Sequence, residues 1–177
     1  MPAEWEPHAG TWLTWPRREG ISFPVIYDRI SPIFAKVIST LSRGEKVFVN
    51  VCDPVMEAEA RKILKQHDAL NNNVNFFHHP SDEPWCRDHG PIFVKNETTR
   101  AIINWDYNAW GKKYSLYEKD NEIPKRVASA RKLQCHKPGM VLEGGSIEVN
   151  GRGTLLTTES CLLNPNRNPN LNKNEIE

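Results

Sequence analysis

Two acidic turns carry the clearest chemistry in this chain. Asp88 stands in Trp85-Cys-Arg87-Asp88-His-Gly-Pro, and Glu143 stands in Glu143-Gly144-Gly145. Each acid has a glycine two residues on, then an alternating strand, then an asparagine turn, and the two copies lie 55 residues apart. Equivalent places around a pseudo-symmetric centre would bring both carboxylates into one pocket. Two carboxylates sharing a pocket repel each other unless a cation sits between them. A planar guanidinium is the natural cation, because its fork of N–H donors meets carboxylate oxygens two bonds at a time. Gly90, Gly144 and Gly145 would let the backbone pass close to a ligand. Trp85 could wall the pocket or stack on the cation. The same residues also fit a plainer reading, with Asp88 a loop acid paired to its neighbour Arg87 and Glu143 a turn residue.

Other groupings are weaker. His78, His79, Cys86 and His89 are chemically capable of holding a metal, but their spacing fits no standard zinc pattern. Cys86, inside the acidic loop, is a possible nucleophile if a nearby histidine activates it. Cys52, Cys135 and Cys161 read as inert thiols. Gly144-Gly145 and Gly151-x-Gly153 miss the spacing of either nucleotide-binding motif. No metal and no cofactor is expected.

The elements that must position the acids follow from periodicity and punctuation. A helix is expected between Ser31 and Arg43, with Ser31 as cap, Pro32 in the first turn and Ile33, Phe34, Val37, Ile38 and Leu41 on one face. Gly44 ends it. Lys46 to Val51 is a β-branched strand. Asp53 caps a second helix, Pro54 to Gln66. Further strands are expected at Val74 to Phe77, Ile92 to Val94, Ala101 to Trp105, Met140 to Leu142, Ser146 to Val149 and Thr154 to Thr157. A helix is expected near Pro124 to Leu133. Asn150-Gly151 is a hairpin turn signal. The polar tail after Leu163 reads as a loop opening a helix. The acid–glycine–hairpin order places repeats at about 44–106 and 107–160, within a single domain that takes in all of 1–177. Repeats of this length bury their faces only against neighbours.

The bulk numbers exclude some classes. With 23 basic and 22 acidic residues, the formal net charge is +1. The cations are scattered, so neither nucleic acid nor an anionic membrane is an expected partner. The start, MPAEWEPHAG, has neither a basic nor an apolar signal region, and no apolar run approaches a membrane span. Four widely spaced cysteines do not form a disulfide framework, so a reducing cytoplasm is the expected compartment.

The segments EPHAGTWLTWP, EPWCRDHGP, NWDYNAWGKKY and LEGGSIEVNGRGTLLTTESCLLNPNRNP resemble the agmatine deiminase and bacterial-type peptidylarginine deiminase family along nearly the whole chain. The resemblance implies an α/β pentein-type propeller of ββαβ repeats, of which about two to three of five blades would be present. It implies a metal-free hydrolase acting on linear amidines, with agmatine or peptidyl arginine as substrate. Agmatine would yield N-carbamoylputrescine and ammonia on the route to putrescine. A cysteine thiolate attacks the guanidine carbon, ammonia leaves, and a histidine-activated water hydrolyses the amidino-thioether. Carried over by motif, Asp88 is the catalytic, substrate-binding carboxylate. Glu143, with Gly144, is a second site element, Trp85 a pocket wall, and Arg87 orients the loop or Asp88. In the family the His-x-Asp pair and the nucleophilic cysteine of an Asn-x-His-Cys stretch lie in the second half, and none of the four cysteines here matches that motif. The chain is therefore expected to be an amino-terminal half, inactive alone. The alternatives are a non-catalytic guanidinium-binding module and an interaction fragment that completes its sheet with another chain.

Overall fold

Lys46–Val51, alternately apolar on both faces, is the strand around which the first half of the chain forms. A computed structural model describes residues 1–176, divided into two units, residues 7–86 and residues 1–6 with 87–176. In the first unit β1 (Gly10–Thr14), β2 (Lys46–Val51) and β3 (Val74–His78) form a parallel sheet in that order. The central strand is buried from Val47 onward, as a parallel strand covered on both faces must be. Helices α1 (Tyr27–Leu41) and α2 (Pro54–Gln66) supply the crossovers. Trp15, Ala35, Ile38, Val47, Val49, Val51, Ala60 and Leu64 form the core. Asp53 Oδ1 accepts the Met56 N–H at 2.8 Å, the cap expected from its position.

Two expectations for α1 fail. The helix begins at Tyr27, so Ser31 is a buried interior residue and Pro32 lies inside the helix. A tertiary contact accounts for the extra turn: the Trp15 indole N–H donates to Tyr27 Oη at 3.1 Å in the core. Pro32 is the sixth helical residue, so its missing N–H leaves one rung of the ladder, the one toward the Asp28 carbonyl, unmade. Ile33 and Val37, expected to face inward, are 56% and 42% exposed. β1 was not expected at all, because a five-residue strand of mixed polarity has little periodicity to read.

The short helix Cys86–His89 runs across the boundary between the units, and the second unit continues into the antiparallel hairpin β4 (Ile92–Lys95) and β5 (Arg100–Ile103). Helix α3 (Ile123–Arg131) then leads to β6 (Gln134–His136), parallel to β5. The order strand, strand, helix, strand is thus present once in full. A second hairpin, β7 (Ile147–Val149) and β8 (Leu155–Thr157), closes through Asn150 and Gly151, whose φ is +71°. Asn150 Oδ1 accepts the Arg152 and Thr154 amides at 2.8 and 3.1 Å, which fixes this turn. The strand expected at Met140 to Leu142 reduces to one bridge, Asp106 with Val141. Asn168 covers the other edge of this segment. Its side-chain amide takes the Val141 N–H at 2.7 Å and donates to the Val141 carbonyl at 3.0 Å, standing in for a neighbouring strand. Among the described residues the tail holds single helical turns, Glu159–Leu162 and Lys173–Ile176. Among the described residues no helix is long and apolar enough to cross a membrane.

Candidate functional site

Asp88 and Glu143 meet in the second unit. Asp88 lies in the short helix four residues before β4, and Glu143 lies four residues before β7, at the head of the 3₁₀ turn Gly144–Ser146. Asp88 Oδ1 accepts the Gly145 N–H at 3.1 Å. The two glycines have a steric cause. A Cβ at Gly144 would collide with the Arg87 carbonyl, and one at Gly145 with Asp88 Oδ1. From sequence, glycines here are expected to leave room for a ligand. In the structure they yield room to the loop that carries the other acid.

The electrostatics follow from this packing. Burial pushes the Asp88 carboxyl above the usual carboxylate range, and the Glu143 charge pushes it the same way. The Gly145 amide, Arg87 and a side-chain hydrogen bond from Trp110 oppose the rise without cancelling it. Glu143 is 2% exposed. Its Oε1 accepts from Arg167 Nε at 2.7 Å, whereas Oε2 is buried and has no hydrogen-bond partner among the described residues. An unpaired oxygen of a buried carboxylate is costly. It marks a place where a donor is wanted.

Arg87 lies beside this pair but bonds elsewhere. Its guanidinium is ion-paired with Glu4, stands 3.8 Å from Glu148 Oε2, and donates to the Ile147 carbonyl at 3.4 Å. It ties the Asp88 loop to β7 and to the first residues of the chain. Trp85 belongs to the other unit, where its indole N–H donates to Ser22 Oγ at 2.8 Å and its ring lies against Phe23.

Two contributors were not singled out from sequence. Trp110 reaches Asp88 from a turn in which Ala109, Trp110, Gly111 and Lys112 all have positive φ, between 51° and 85°. Left-handed backbone costs roughly 1–2 kcal/mol for each residue that carries a Cβ. Asn108 holds the turn, its Oδ1 accepting the Gly111 N–H at 2.9 Å. The second contributor is the Asn166-Arg167-Asn168 segment. Arg167 Nη1 donates to Asn166 Oδ1 at 2.8 Å, Asn108 Nδ2 donates to the Asn166 carbonyl at 3.1 Å, and a Cβ at Gly111 would collide with the Asn166 side chain. A cation aimed at an isolated acidic turn is a signal that pattern reading could use. Its partner, 24 residues away, becomes visible only in three dimensions.

The remaining groupings are dispersed. His78 pairs with Glu57 at 2.7 Å and His79 with the buried Asn50 at 3.0 Å in the first unit, and within the second unit His89 stands 4.0 Å from Asp120. The four cysteines are free thiols. Among the described residues no group of three or more His, Cys, Asp or Glu is arranged to hold a metal ion.

Comparison with known proteins gives a consistent outcome. Residues 1–177 match the family model described as Porphyromonas-type peptidyl-arginine deiminase. A Selenomonas ruminantium protein named "Putative agmatine deiminase" is 38% identical over 183 residues, covering 100% of this chain and 48% of that protein. A solved structure of the agmatine deiminase of Enterococcus faecalis, described as catalysing its reaction, superposes with a TM-score of 0.89 at 30% identity, over 99% of this chain and 48% of that one. A C. jejuni agmatine deiminase carrying a Cys→Ser substitution, with substrate bound, superposes at 0.84 and 28% identity, over 98% and 50%. The chain spans about half the length of the curated relatives it matches.

Proposed function

The chain belongs to the Porphyromonas-type peptidyl-arginine deiminase family, and from that premise we propose that it forms the guanidinium-holding side of a guanidine deiminase, with agmatine as substrate. The observation that carries the reading is the juxtaposition of half-buried Asp88 with fully buried Glu143, one of whose oxygens has no partner among the described residues. Two acids packed this closely call for a cation. A guanidinium offers N–H donors in a plane, so a single head group can bond both.

In this reading the carboxylates do two jobs. They fix the head group in one orientation, which removes much of the entropic part of the barrier. They also hold it as the cation, so that its central carbon stays electrophilic while the nucleophile approaches. The nucleophile is a thiolate and the water-activating base a histidine, as in the family mechanism. Neither is assigned to a residue of this chain, because none of its cysteines follows an Asn-x-His sequence. Turnover is therefore assigned to the full-length gene product, which we read as a pentein-type propeller. Asp88 and Glu143 would lie at matching places in its repeats, about 44–106 and 107–160. The pocket-wall reading of Trp85 rests on its motif alone. Free thiols suit a reducing cytoplasm, where the product would feed putrescine synthesis.

The test is ammonia release by the full-length gene product, with agmatine in one arm and an arginine-containing peptide in the other. Turnover of agmatine with little from the peptide is expected. The reverse preference would move the assignment to protein arginine. Absence of ammonia in both arms would remove the deiminase reading.

A further inference from the structure

We propose that Glu4 is a positioning residue that holds the Arg87 guanidinium off the Asp88 carboxylate, so that the protein's own guanidinium does not occupy the substrate's place. The proposal rests on the deiminase reading above for the identity of that substrate. The contacts of Glu4 and Arg87 do not depend on it.

Arg87 precedes Asp88 in sequence, and its side chain leaves the short helix on the same side. A Cβ at Gly145 would collide with Asp88 Oδ1 and would also meet Arg87 Cγ, at 3.7 Å. The stem of Arg87 thus runs beside the carboxylate, and its charge already acts on Asp88. Its guanidinium is the same planar head group that the acids are read as holding. One carboxylate and one strand keep it engaged elsewhere. Nη1 donates to Glu4 Oε1. Nη2 donates to the Ile147 carbonyl at 3.4 Å and stands 3.8 Å from Glu148 Oε2. Both β7 contacts are long, so Glu4 is the strong partner.

A glutamate on a free tail could not do this. Arg87 and Glu4 are 49% and 47% exposed, and an ion pair so exposed contributes less than the backbone entropy of ordering one tail residue. Residues 1–6 are ordered by other contacts. Ala3 is buried, and its carbonyl accepts the Glu6 N–H at 3.1 Å. Glu6 Oε2 accepts from Lys95 Nζ at 3.3 Å, at the end of β4. The turn of the second hairpin closes on the same segment: a Cβ at Gly151 would lie 2.7 Å from Glu6 Oε1 and 2.9 Å from the Ala3 nitrogen. Glu4 is therefore presented to Arg87 by a backbone already fixed, and only side-chain freedom opposes the pair.

Among the described residues the charges facing Asp88 are Arg87, from its own helix, and Glu143, whose Oε1 is held by Arg167. Those facing Arg87 are Glu4, Glu148 and Asp88. Without the Glu4 charge, the guanidinium has Asp88 and Glu148 as its remaining acids. A move toward Asp88 makes Arg87 an internal competitor of the substrate, and a nearer cation favours the ionised carboxylate.

The experiment uses the full-length gene product and its Glu4→Gln, Glu4→Asp and Arg87→Gln variants. KM and kcat for agmatine are measured, and the Asp88 carboxyl is titrated by NMR. Glu4→Gln should raise KM by about 3- to 5-fold, the scale of an exposed charge pair, with a smaller change in kcat. Its Asp88 titration should move to lower pH. Glu4→Asp keeps the charge and should stay nearer the parent in both. Arg87→Gln removes the cation and should move the titration the other way, to higher pH. The two halves of a merely structural ion pair would shift it in the same direction when removed, and that result would overturn the proposal. A parental KM or an unmoved titration in Glu4→Gln would overturn it too. Should Arg87→Gln not fold, these last two outcomes decide alone. If the parent turns over no guanidine, the deiminase reading falls, and the Asp88 titration still judges Glu4.

Discussion

Asp88 is an acid kept in an unfavourable place, and that makes its behaviour predictable. Burial and the Glu143 charge raise its pKa above the usual carboxylate range, near 4 for an unperturbed aspartate. A cation can be held by Asp88 only when it is ionised. In the full-length gene product kcat/KM for agmatine should therefore fall as pH drops, with an acid limb above the ordinary aspartate value. A limb at or below that value would contradict the assignment. The linkage to stability has the opposite sense. A group with a raised folded-state pKa binds more protons folded than unfolded, so its share of stability is present at low pH. That share is lost as pH rises through the raised value. Asp88→Asn removes the titrating charge. Its melting temperature should gain on the parent's as pH increases across that window, while kcat/KM loses at least ~2 kcal/mol of transition-state binding. Near-parental kcat/KM in Asp88→Asn would refute the role. The motif around Asp88 and Glu143 was legible residue by residue. Arg167 and Trp110 were not, because a long-range ion pair and a left-handed turn leave no periodic trace in the sequence.

At the scale of elements, the acids are placed by turns and loops. The 3₁₀ turn Gly144–Ser146 lies against the helix Cys86–His89, and the contact is possible only because positions 144 and 145 lack a Cβ. Gly145→Ala should push the Asp88 carboxylate aside and break the bond to the Gly145 amide. We expect a loss of about 10-fold or more in kcat/KM with a melting temperature only modestly lowered, since removing one hydrogen bond costs about 1 kcal/mol. Measured together, unchanged kinetics would show that the close approach is not needed. The longer elements with strong local signals were readable. α2 with its Asp53 cap, β2 and the Asn150-Gly151 hairpin all stand where their residues place them. Elements held by tertiary partners were not. α1 starts a turn early under the Trp15–Tyr27 contact, and Met140 to Leu142 keeps a single bridge to Asp106 while Asn168 holds its other edge.

At the scale of the whole molecule, the chain forms two units, and the core of residues 7–86 contains none of the acid pair. A cavity there is a test of how separate the two are. Leu64 is fully buried, and Leu64→Ala should destabilise by ~2–5 kcal/mol. Amide hydrogen exchange should show the loss of protection first within residues 7–86, with the Asp88–Gly145 region retaining its own. Equal and simultaneous loss in both units would show a single cooperative body. By itself the sequence determined the family, the α/β character and the acidic turns, because motif chemistry and strong periodicity are local and survive in one dimension. Tertiary structure alone decided which oxygen of Glu143 is taken, why glycines follow it, and which residues brace the pair. Those are matters of contact between segments 24 to 57 residues apart, where distance along the chain carries no information about distance in space.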